Sequence, residues 1–462
     1  MMRVRFPSAP PLEKASTIGG GLLASVPVPS NTLTASLHTV SDQKAPSNGH
    51  DVTDQTRPGA AERPSPPTVG GHLLPVQFSA GALSPGSSSK PRKNRRGLVV
   101  GLLGGATVVA ALAITQLTAN LGYDSTASEY ADAAQAATTA KAEVRTATAD
   151  LRGATDAGEL ILAGGNQPIA VTAEVEAAFS AAVAAGTSAA SDADDILGTD
   201  IPSVGAKPSW FWELFGAAAE LEQHRDDVDT LSDELTTASA DVSAAQKEIT
   251  GSGLAVMTAA ASAAPAFETA HLSARNDAVV ALRDAAADAT ATTALDESAA
   301  TNYLALQEAA AQVVATENEE LAEKAGPLLN ARLEVEAFAR SLAPGVLLDF
   351  DWAPVVSGAG YNGSMGGYTT WWWDDPGRST IELSNSVAEQ WPDDRSRALV
   401  AHEVGHAISV KCQGMYDSST QDSIEKWATA WAISMGFTDD ANGVWAYGYP
   451  PQSYIDAATG CR

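Results

Sequence analysis

The sequence predicts a mainly α-helical protein with a small α+β domain at its C-terminal end, and three features of its composition support this prediction. Residues 124–343 are rich in alanine, glutamate, aspartate, leucine and valine and contain few aromatic residues. Alanine and glutamate are strong helix formers. Residues 1–96 are rich in proline, serine, glycine and threonine, a composition typical of disorder. Residues 344–462 combine the apolar periods of strands and of helices.

An uncharged apolar segment separates the N-terminal region from the rest of the chain. Residues 98–117 are mostly Leu, Val, Ala, Ile and Gly, and this length is what a helix needs to cross a bilayer. The basic run 90–96 comes directly before it. We therefore predict a transmembrane helix at residues 97–119 in a single-pass protein of the cell membrane. The disordered segment 1–96 is then cytoplasmic, and all later residues are extracytoplasmic. A cleaved signal peptide is the alternative, and the long N-terminal region argues against it.

The charge distribution agrees with this topology. Residues 1–96 carry 11 Lys and Arg against 5 Asp and Glu, whereas residues 97–462 carry 17 against 51. Such an acidic part would repel phosphates, which argues against nucleic acid as a partner. We predict that residues 120–343 form an extracytoplasmic alanine-rich helical bundle or coiled-coil stalk, with heptads too irregular for one continuous coiled coil. A stalk of this kind offers a surface for self-association.

The motif that carries most of the chemical information is His402-Glu403-Val404-Gly405-His406. Histidines four residues apart lie on one face of a helix, so both imidazoles can bind one metal ion. Glu403 lies about 100° further round the axis, where a carboxylate reaches a metal-bound water without binding the metal. Gly405 lowers helix propensity by about 1 kcal/mol, and we expect it to leave room for substrate or for a neighbouring strand. The alternative is a surface helix with two solvated histidines.

The third ligand is predicted to be a carboxylate. Zinc hydrolases usually have three protein ligands and a fourth position for water, and the other histidines of the sequence lie far upstream. Glu425 is the best candidate, because it lies at the edge of the apolar stripe of a second predicted helix. Asp417, Asp422 and Cys412 are the alternatives.

Two short motifs resemble those of the gluzincin group of metallopeptidases. They are HEVGH at residues 402–406 and EKWAT at residues 425–429. The resemblance implies a zincin-like domain at residues 344–462 and does not extend further upstream. Gluzincins usually have an aspartate where this sequence has Thr429. A threonine leaves the ligating histidine less basic, so we expect weaker metal binding or a lower rate.

The resemblance also implies roles for particular residues. His402, His406 and Glu425 would bind Zn²⁺, and Glu403 would be the general base that takes a proton from the attacking water.

Two further features of the active site are expected from the same family. Gluzincins often place a tyrosine or histidine where it can donate a hydrogen bond to the oxyanion formed during peptide attack. We assign this role to Tyr416, with Tyr447 as the alternative. The sequence predicts three strands between residues 346 and 384. The resemblance implies that residues 381–384 are the edge strand that pairs with an extended substrate.

The sequence contains two cysteines, Cys412 and Cys461. Both lie in the part of the chain predicted to be extracytoplasmic. In an oxidising compartment such a pair predicts a disulfide bond.

Together these features predict a membrane-anchored extracytoplasmic metallopeptidase. Its C-terminal domain would use one zinc ion to hydrolyse peptide bonds in a peptide or protein substrate. The alternative is a non-enzymatic surface scaffold or adhesin in which the metal is structural or absent.

Overall fold

The computed structural model describes residues 96–164 and 167–462, with side chains from residue 106 onward. The disorder predicted for residues 1–96 lies outside the described residues, apart from the position at which the first helix begins. The described chain is mainly helical and contains a small three-stranded sheet near its C-terminal end, as the sequence predicts.

The elements follow one another with short connections. The helices are α1 (Arg96–Leu162), α2 (Ala173–Leu197), α3 (Phe211–Ala270), α4 (Asn276–Ala291), α5 (Glu297–Glu323), α6 (Leu329–Leu342), α7 (Asn385–Glu389), α8 (Asp394–Ser409), α9 (Gln421–Ser434), α10 (Val444–Tyr447) and α11 (Gln452–Ala458). The strands are β1 (Leu347–Ala353), β2 (Gly367–Trp372) and β3 (Asp375–Ser384). Short 3-10 turns lie at Tyr361–Gly363, Val410–Met415 and Asp440–Asn442.

Buried side chains recur at seven-residue intervals along α1 and α3. On α3 they are Leu214, Leu221, Val228, Leu235, Val242, Ile249 and Val256. On α1 they are Tyr123, Tyr130, Ala137, Val144 and Leu151. A seven-residue period is the pattern of coiled-coil packing. The seven-residue period is thus regular within α1 and within α3, although alanine on every face of these helices hides it in the sequence.

Polar contacts show that α1 and α3 run parallel. The Gln116 side chain of α1 accepts a hydrogen bond from the Phe211 backbone N–H at 2.9 Å. Further along both helices, Arg225 of α3 donates to Glu129 of α1 at 3.1 Å. Residue numbers thus rise together along the two helices, and α3 begins beside residue 116 of α1.

The helix between them runs the other way. Arg152 of α1 forms an ion pair with Asp194 near the end of α2. The non-helical residues 198–210 then follow α1 back toward its N-terminal end, and the Tyr130 hydroxyl donates to the Pro202 carbonyl on the way. Because residues 198–210 run back along α1, α3 can begin beside residue 116 of α1.

Two of the described helices are long and apolar enough to cross a membrane by length and composition. They are α1, over Ala106–Leu162, and α3, over Phe211–Ala270. In the most apolar 18-residue stretch of each helix, 39% of the residues are buried in α3 and 11% are buried in α1. Residues 106–114 of α1 are exposed on every side, so α1 is the better match to a bilayer-spanning helix.

The helical region docks directly on the sheet. The side-chain amide of Asn276, at the start of α4, donates to the Leu347 carbonyl at 3.2 Å and to the Ser379 carbonyl at 3.0 Å. Asp349 of β1 accepts a hydrogen bond from the Asn276 backbone N–H at 2.7 Å. These bonds link the first turn of α4 to β1 and β3.

A buried ion network strengthens the same junction. Lys324, only 3% exposed, lies 3.0 Å from both Glu320 and Glu336. Buried charges persist only where they are paired, so the three side chains hold the end of α5 against α6. Helix α6 also supplies Val335 to the core that surrounds the sheet. The C-terminal core thus extends upstream of residue 344.

The sheet has the strand order β1-β3-β2, with β1 parallel and β2 antiparallel to β3. The expectation that residues 381–384 form an edge strand is therefore wrong, because they belong to β3, which is paired on both sides. Strand pairing depends on residues far apart in sequence, and the local pattern does not encode it. Within the described sheet, β2 is the edge strand nearest α8.

Helices α8 and α9 pack together beside the sheet. The largest side chains in this core are Trp371, Trp427 and Trp431, and all three are fully buried. The predicted disulfide is confirmed, because Cys412 and Cys461 are bonded. It ties the segment that follows α8 to the end of the chain.

Asp349 gives the junction a predictable pH dependence. Burial raises the pKa of Asp349 from 3.8 to about 6, although the hydrogen bond from Asn276 and the charge of Arg275 oppose the shift. A folded-state pKa above the unfolded value means that the folded protein binds the proton more tightly. Its stabilising effect is therefore present at low pH and is lost as pH rises through this interval.

The substitution Asp349→Asn should remove the loss of folding stability that accompanies ionisation of Asp349. We expect the midpoint of thermal unfolding of the variant, relative to the parent, to rise between pH 4 and pH 6 and then level off. Asp351→Asn is the matched control, because Asp351 is exposed on the same strand. A difference between Asp349→Asn and the parent that does not vary with pH would contradict the assignment.

Candidate metal centre

Two helices carry the candidate ligands. Helix α9 begins after Thr420, whose hydroxyl accepts a hydrogen bond from the Ser423 backbone N–H at 3.3 Å. Helix α8 places His402 and His406 on the face that meets α9, where Glu425 lies one turn into that helix. The histidines and the glutamate are each 1% exposed. A surface helix with solvated histidines is thereby ruled out.

The three side chains converge on one point. Glu425 Oε2 lies 3.3 Å from His402 Nε2 and 3.1 Å from His406 Nε2, and the two imidazole nitrogens are 3.2 Å apart. Ligands about 2.0–2.1 Å from a tetrahedral metal ion are separated from one another by about 3.3 Å. The observed triangle therefore has the size that one metal ion requires.

Hydrogen bonds between Glu425 and two neutral imidazoles do not account for this triangle. His402 Nδ1 lies 2.9 Å from the Asn442 carbonyl, and a carbonyl can only accept. The proton of the neutral ring is therefore on Nδ1, and His402 Nε2 presents a lone pair to the cluster. At most one proton, on His406 Nε2, is left for three close approaches. The other approaches bring lone pairs together, which is costly in a buried site unless a cation lies among them.

The surroundings of Glu425 favour its ionised carboxylate, which is the form that binds a metal ion. Burial by itself would raise the pKa of Glu425, but the neighbouring His406 and His402 outweigh it and lower the pKa well below the usual value. Glu425 Oε1 accepts a hydrogen bond from the Gln421 side chain at 2.8 Å. One oxygen is thus held within α9, and the carboxylate presents the other to the histidines.

The rival third ligands are engaged elsewhere. Asp417 accepts hydrogen bonds from the Ser419 backbone and hydroxyl at 2.9 and 2.6 Å. Asp422 pairs with Lys426 at 2.7 Å, and Cys412 is in the disulfide. Of these four candidates, Glu425 is the residue that joins the two histidines.

The imidazole of His402 is oriented by a backbone carbonyl. The Asn442 carbonyl accepts from His402 Nδ1 at 2.9 Å, whereas the Thr429 hydroxyl lies 3.4 Å from the same nitrogen. The Thr429 hydroxyl donates to the Glu425 carbonyl at 2.9 Å. A carbonyl acceptor fixes the tautomer of a ligating histidine as an aspartate does. The Asn442 carbonyl, rather than the Thr429 hydroxyl, therefore orients the imidazole of His402.

A tight turn brings this carbonyl to the site. The Asn442 side chain donates to the Phe437 carbonyl at 2.9 Å and accepts from the Val444 backbone N–H at 3.0 Å. Gly443 follows with φ of +105°, and a Cβ there would lie 2.3 Å from Thr429 Oγ1 and 2.6 Å from His402 Nδ1. Glycine is therefore required on two counts, the left-handed backbone and the close approach.

The second histidine is fixed by stacking. The His406 ring lies parallel to the indole of Trp371, with centroids 5.3 Å apart and planes at 5°. Among the described residues, His406 Nδ1 is buried without a hydrogen-bond partner. Packing, rather than a polar acceptor, thus sets the orientation of His406.

Glu403 is buried beside the ligands and held by β2. Its Oε2 accepts from the Thr369 hydroxyl at 2.7 Å. A Cβ at Gly367 would lie 2.4 Å from Glu403 Oε1, so the glycine leaves the space that this oxygen occupies. Burial raises the pKa of Glu403 to about 7, although His402 and Thr369 act in the opposite direction. Within the part of the chain that the structure describes, Oε1 has no hydrogen-bond partner.

The two tyrosines lie in different places. Tyr416 stacks on Trp427, with centroids 4.7 Å apart, and belongs to the hydrophobic core. Tyr447 stacks on His402, with centroids 5.9 Å apart and planes at 11°. Burial and the nearby carboxylates of Glu425 and Glu403 raise the pKa of Tyr447. The tyrosine beside the candidate ligands is therefore Tyr447, the alternative named from sequence, whereas Tyr416 lies in the core.

Gly405 has a different purpose from the one the sequence suggested. A Cβ at Gly405 would lie 2.8 Å from the Ala428 carbonyl oxygen and 3.0 Å from Ala428 Cα. The expected room for substrate or a strand is instead room for the backbone of α9.

Sequence reasoning missed several contributors to this site. They are Gly367, Thr369, Trp371, Asn442 and Gly443. The Asn-Gly pair at 442–443 is a recognisable turn signal, but a backbone carbonyl has no residue type to reveal its role.

Comparisons with protein-family models, with curated proteins and with solved structures found no match to this chain. The buried His402–His406–Glu425 group, which could hold a metal ion, is thus known from the geometry of this chain alone.

Gly443→Ala tests the assignment of Asn442 as the partner of His402. The added methyl group would displace the imidazole or the turn, and we expect a loss of metal affinity of about 10- to 100-fold. Gly436→Ala is the matched control. Its φ of +94° carries the same backbone strain, but no atom lies within 4 Å of its Cβ position.

The measurement is competition for zinc between each full-length variant and a fluorescent chelator. Equal affinities for Gly443→Ala and Gly436→Ala would show that the turn does not position the histidine.

Proposed function

We propose that this protein is a membrane-anchored extracytoplasmic metallopeptidase that uses zinc to hydrolyse peptide bonds. The observation that carries the proposal is the convergence of His402 Nε2, His406 Nε2 and Glu425 Oε2 within 3.1–3.3 Å of one another, with Glu403 buried beside them. The gluzincin motifs of the sequence support the same proposal.

The donor set favours zinc over other common ions. Catalytic zinc sites combine two histidines and one carboxylate with a fourth position for water. Calcium and magnesium prefer oxygen ligands, and two imidazole nitrogens among three donors do not suit them. When bound, zinc supplies a Lewis acid that acidifies water and polarises a carbonyl group.

Glu403 is proposed to be the general base. Its Oε2 is fixed by Thr369, and its Oε1 points into buried space that Gly367 leaves open. A carboxylate held by one oxygen can accept a proton at the other and later deliver it to the leaving amine. The bond from Thr369 keeps the side chain in one position during both transfers.

Tyr447 and β2 are proposed to handle the substrate. Tyr447 lies over the ring of His402, where its hydroxyl could donate to the developing oxyanion. Strand β2 pairs with β3 along one edge, and Thr369 on β2 contacts Glu403. An extended peptide added to the other edge of β2 would therefore run past the general base.

The proposed extracytoplasmic location of the metal centre is based on the N-terminal part of the chain. Residues 98–117 are uncharged and follow the basic run 90–96, and α1 is exposed on all sides over residues 106–114. We propose that α1 crosses the membrane once, with its N-terminal end in the cytoplasm. The helical region then holds the metal centre outside.

One observation favours the non-enzymatic alternative, a surface scaffold or adhesin with a structural metal. The ligands and Glu403 are at most 1% exposed, and structural metal sites are typically closed. Peptide cleavage requires that the segment carrying Tyr447 move away from His402 to admit a substrate and return before the oxyanion forms. The positive φ angles of Gly443 and Gly448, at either end of α10, are suitable hinges for that movement.

Glu403→Gln separates the two functions. We expect the variant to retain one zinc per chain and to lose cleavage of a peptide library by a factor of about 10² to 10⁴. Glu389→Gln, an exposed position on α7, should leave both properties unchanged. Zinc bound to a parent protein that cleaves no peptide would favour the structural alternative.

Tyr447→Phe tests the oxyanion role. Loss of the hydroxyl should lower kcat by about 10²-fold with little change in zinc affinity, because the ring still stacks on His402. Tyr416→Phe provides the comparison, and its effect on kcat should be much smaller. A larger loss of kcat at Tyr416 would restore the assignment made from sequence.

A further inference from the structure

Three large aromatic side chains at the start of α3 face solvent. Trp210, Trp212 and Phe215, here called the aromatic patch, are 57%, 58% and 54% exposed. The two indoles stack, with centroids 5.1 Å apart and planes at 5°. Exposed aromatic side chains that cluster in this way mark an interaction surface rather than chance exposure.

The aromatic patch is fixed at one level of α1. The Gln116 side chain donates to the Ser209 carbonyl at 3.2 Å and accepts from the Phe211 backbone N–H at 2.9 Å. These residues directly flank Trp210. Gln116 is in the last turn of the apolar stretch 98–117. The aromatic patch therefore lies where that stretch ends.

Polarity changes sharply along α1 at this level. On the N-terminal side, most exposed side chains of residues 106–114 are apolar, and they include Val108, Val109, Leu112 and Ile114 at 50–66% exposure. On the other side charged pairs begin. Lys207 contacts Asp124 at 2.6 Å, and Arg225 contacts Glu129 at 3.1 Å.

Along α1 the surface is thus first apolar, then aromatic and then charged. Membrane proteins show the same order from the bilayer core through the headgroup region to water. Tryptophan is enriched at the headgroup level because its ring is apolar and its N–H is polar. Leu117 and Leu121, which are 60% and 62% exposed, extend the exposed apolar surface of α1 to the level of the aromatic patch.

We propose that the aromatic patch inserts into the headgroup region of the outer leaflet of the bilayer that α1 crosses. This inference rests on the membrane anchoring proposed above and adds a second attachment to it. The first is the span of α1, and the second is the base of α3. Because α3 rises parallel to α1 from this level, two attachments restrain the tilt of the helical bundle on the membrane surface.

Tryptophan fluorescence in the full-length protein tests the proposal. Trp210 and Trp212 are the tryptophans of the helical region, and the other eight of the ten lie at or after Trp352. The protein is reconstituted in phosphatidylcholine vesicles whose acyl chains are brominated at the carbons nearest the headgroup, or are not brominated. Bromine quenches indoles that it contacts.

We expect the bromolipid to quench part of the emission of the parent and none of the emission of a Trp210→Leu, Trp212→Leu double variant. Leucine keeps apolar bulk at exposed positions, so the bundle should remain folded, as circular dichroism would verify. Trp445→Leu removes a tryptophan of similar exposure, 59%, from the C-terminal domain. It should retain the quenching of the parent.

Washing the vesicles at alkaline pH shows whether the protein stays anchored in the bilayer. It therefore distinguishes a failure of the anchor from a failure of the aromatic patch as a lipid contact. A parent that resists extraction but is quenched no more than the double variant would overturn the aromatic patch as a lipid contact and leave the anchor intact. If the double variant also differed from the parent in oligomeric state, a second copy of the chain, rather than lipid, would cover the aromatic patch. A parent released at alkaline pH would overturn both the anchor and the lipid contact.

Discussion

The close approach of α8 to α9 at Gly405 is the constraint on which the metal centre depends. His402 and His406 belong to one helix and Glu425 to the other, and the ligand atoms meet because the Gly405 side chain is absent where the Ala428 backbone passes. Two more glycines act in the same way. Gly367 lets β2 reach Glu403, and Gly443 lets a turn reach His402. Helix α9, strand β2 and the turn at residues 442–443 thus all pack closely against α8, and each close approach depends on a glycine.

This packing also determines the chemistry of the site, because it buries polar and charged groups. A carboxylate and two imidazoles in a dry site are costly unless their charges and lone pairs are matched. Three polar groups at the edge of the cluster contribute to that match. The Asn442 carbonyl orients His402, Gln421 holds one oxygen of Glu425, and Thr369 holds Glu403. A divalent cation would complete the set, because three donors that otherwise face one another could share it.

The sequence predicted those parts of the fold and site that depend on local spacing. The histidine pair, the helix that carries Glu425 and the strands follow from residue types at short separations, and the disulfide follows from the presence of two cysteines in the sequence. The parts that it could not predict depend on contacts between distant segments. The central position of β3 comes from pairing with β1 and β2, and the acceptor for His402 is a backbone carbonyl 40 residues away. The heptads of α1 and α3 were hidden because alanine occupies exposed and buried positions alike.

The central claim is that one zinc ion is bound by His402, His406 and Glu425. X-ray absorption at the zinc edge of the full-length, zinc-loaded protein tests it most directly. The claim predicts a first shell of nitrogen and oxygen atoms at about 2.0–2.1 Å, with the outer-shell pattern of two imidazoles and without sulfur. A protein that retains no zinc at one equivalent, or a first shell that lacks the imidazole pattern, would contradict it.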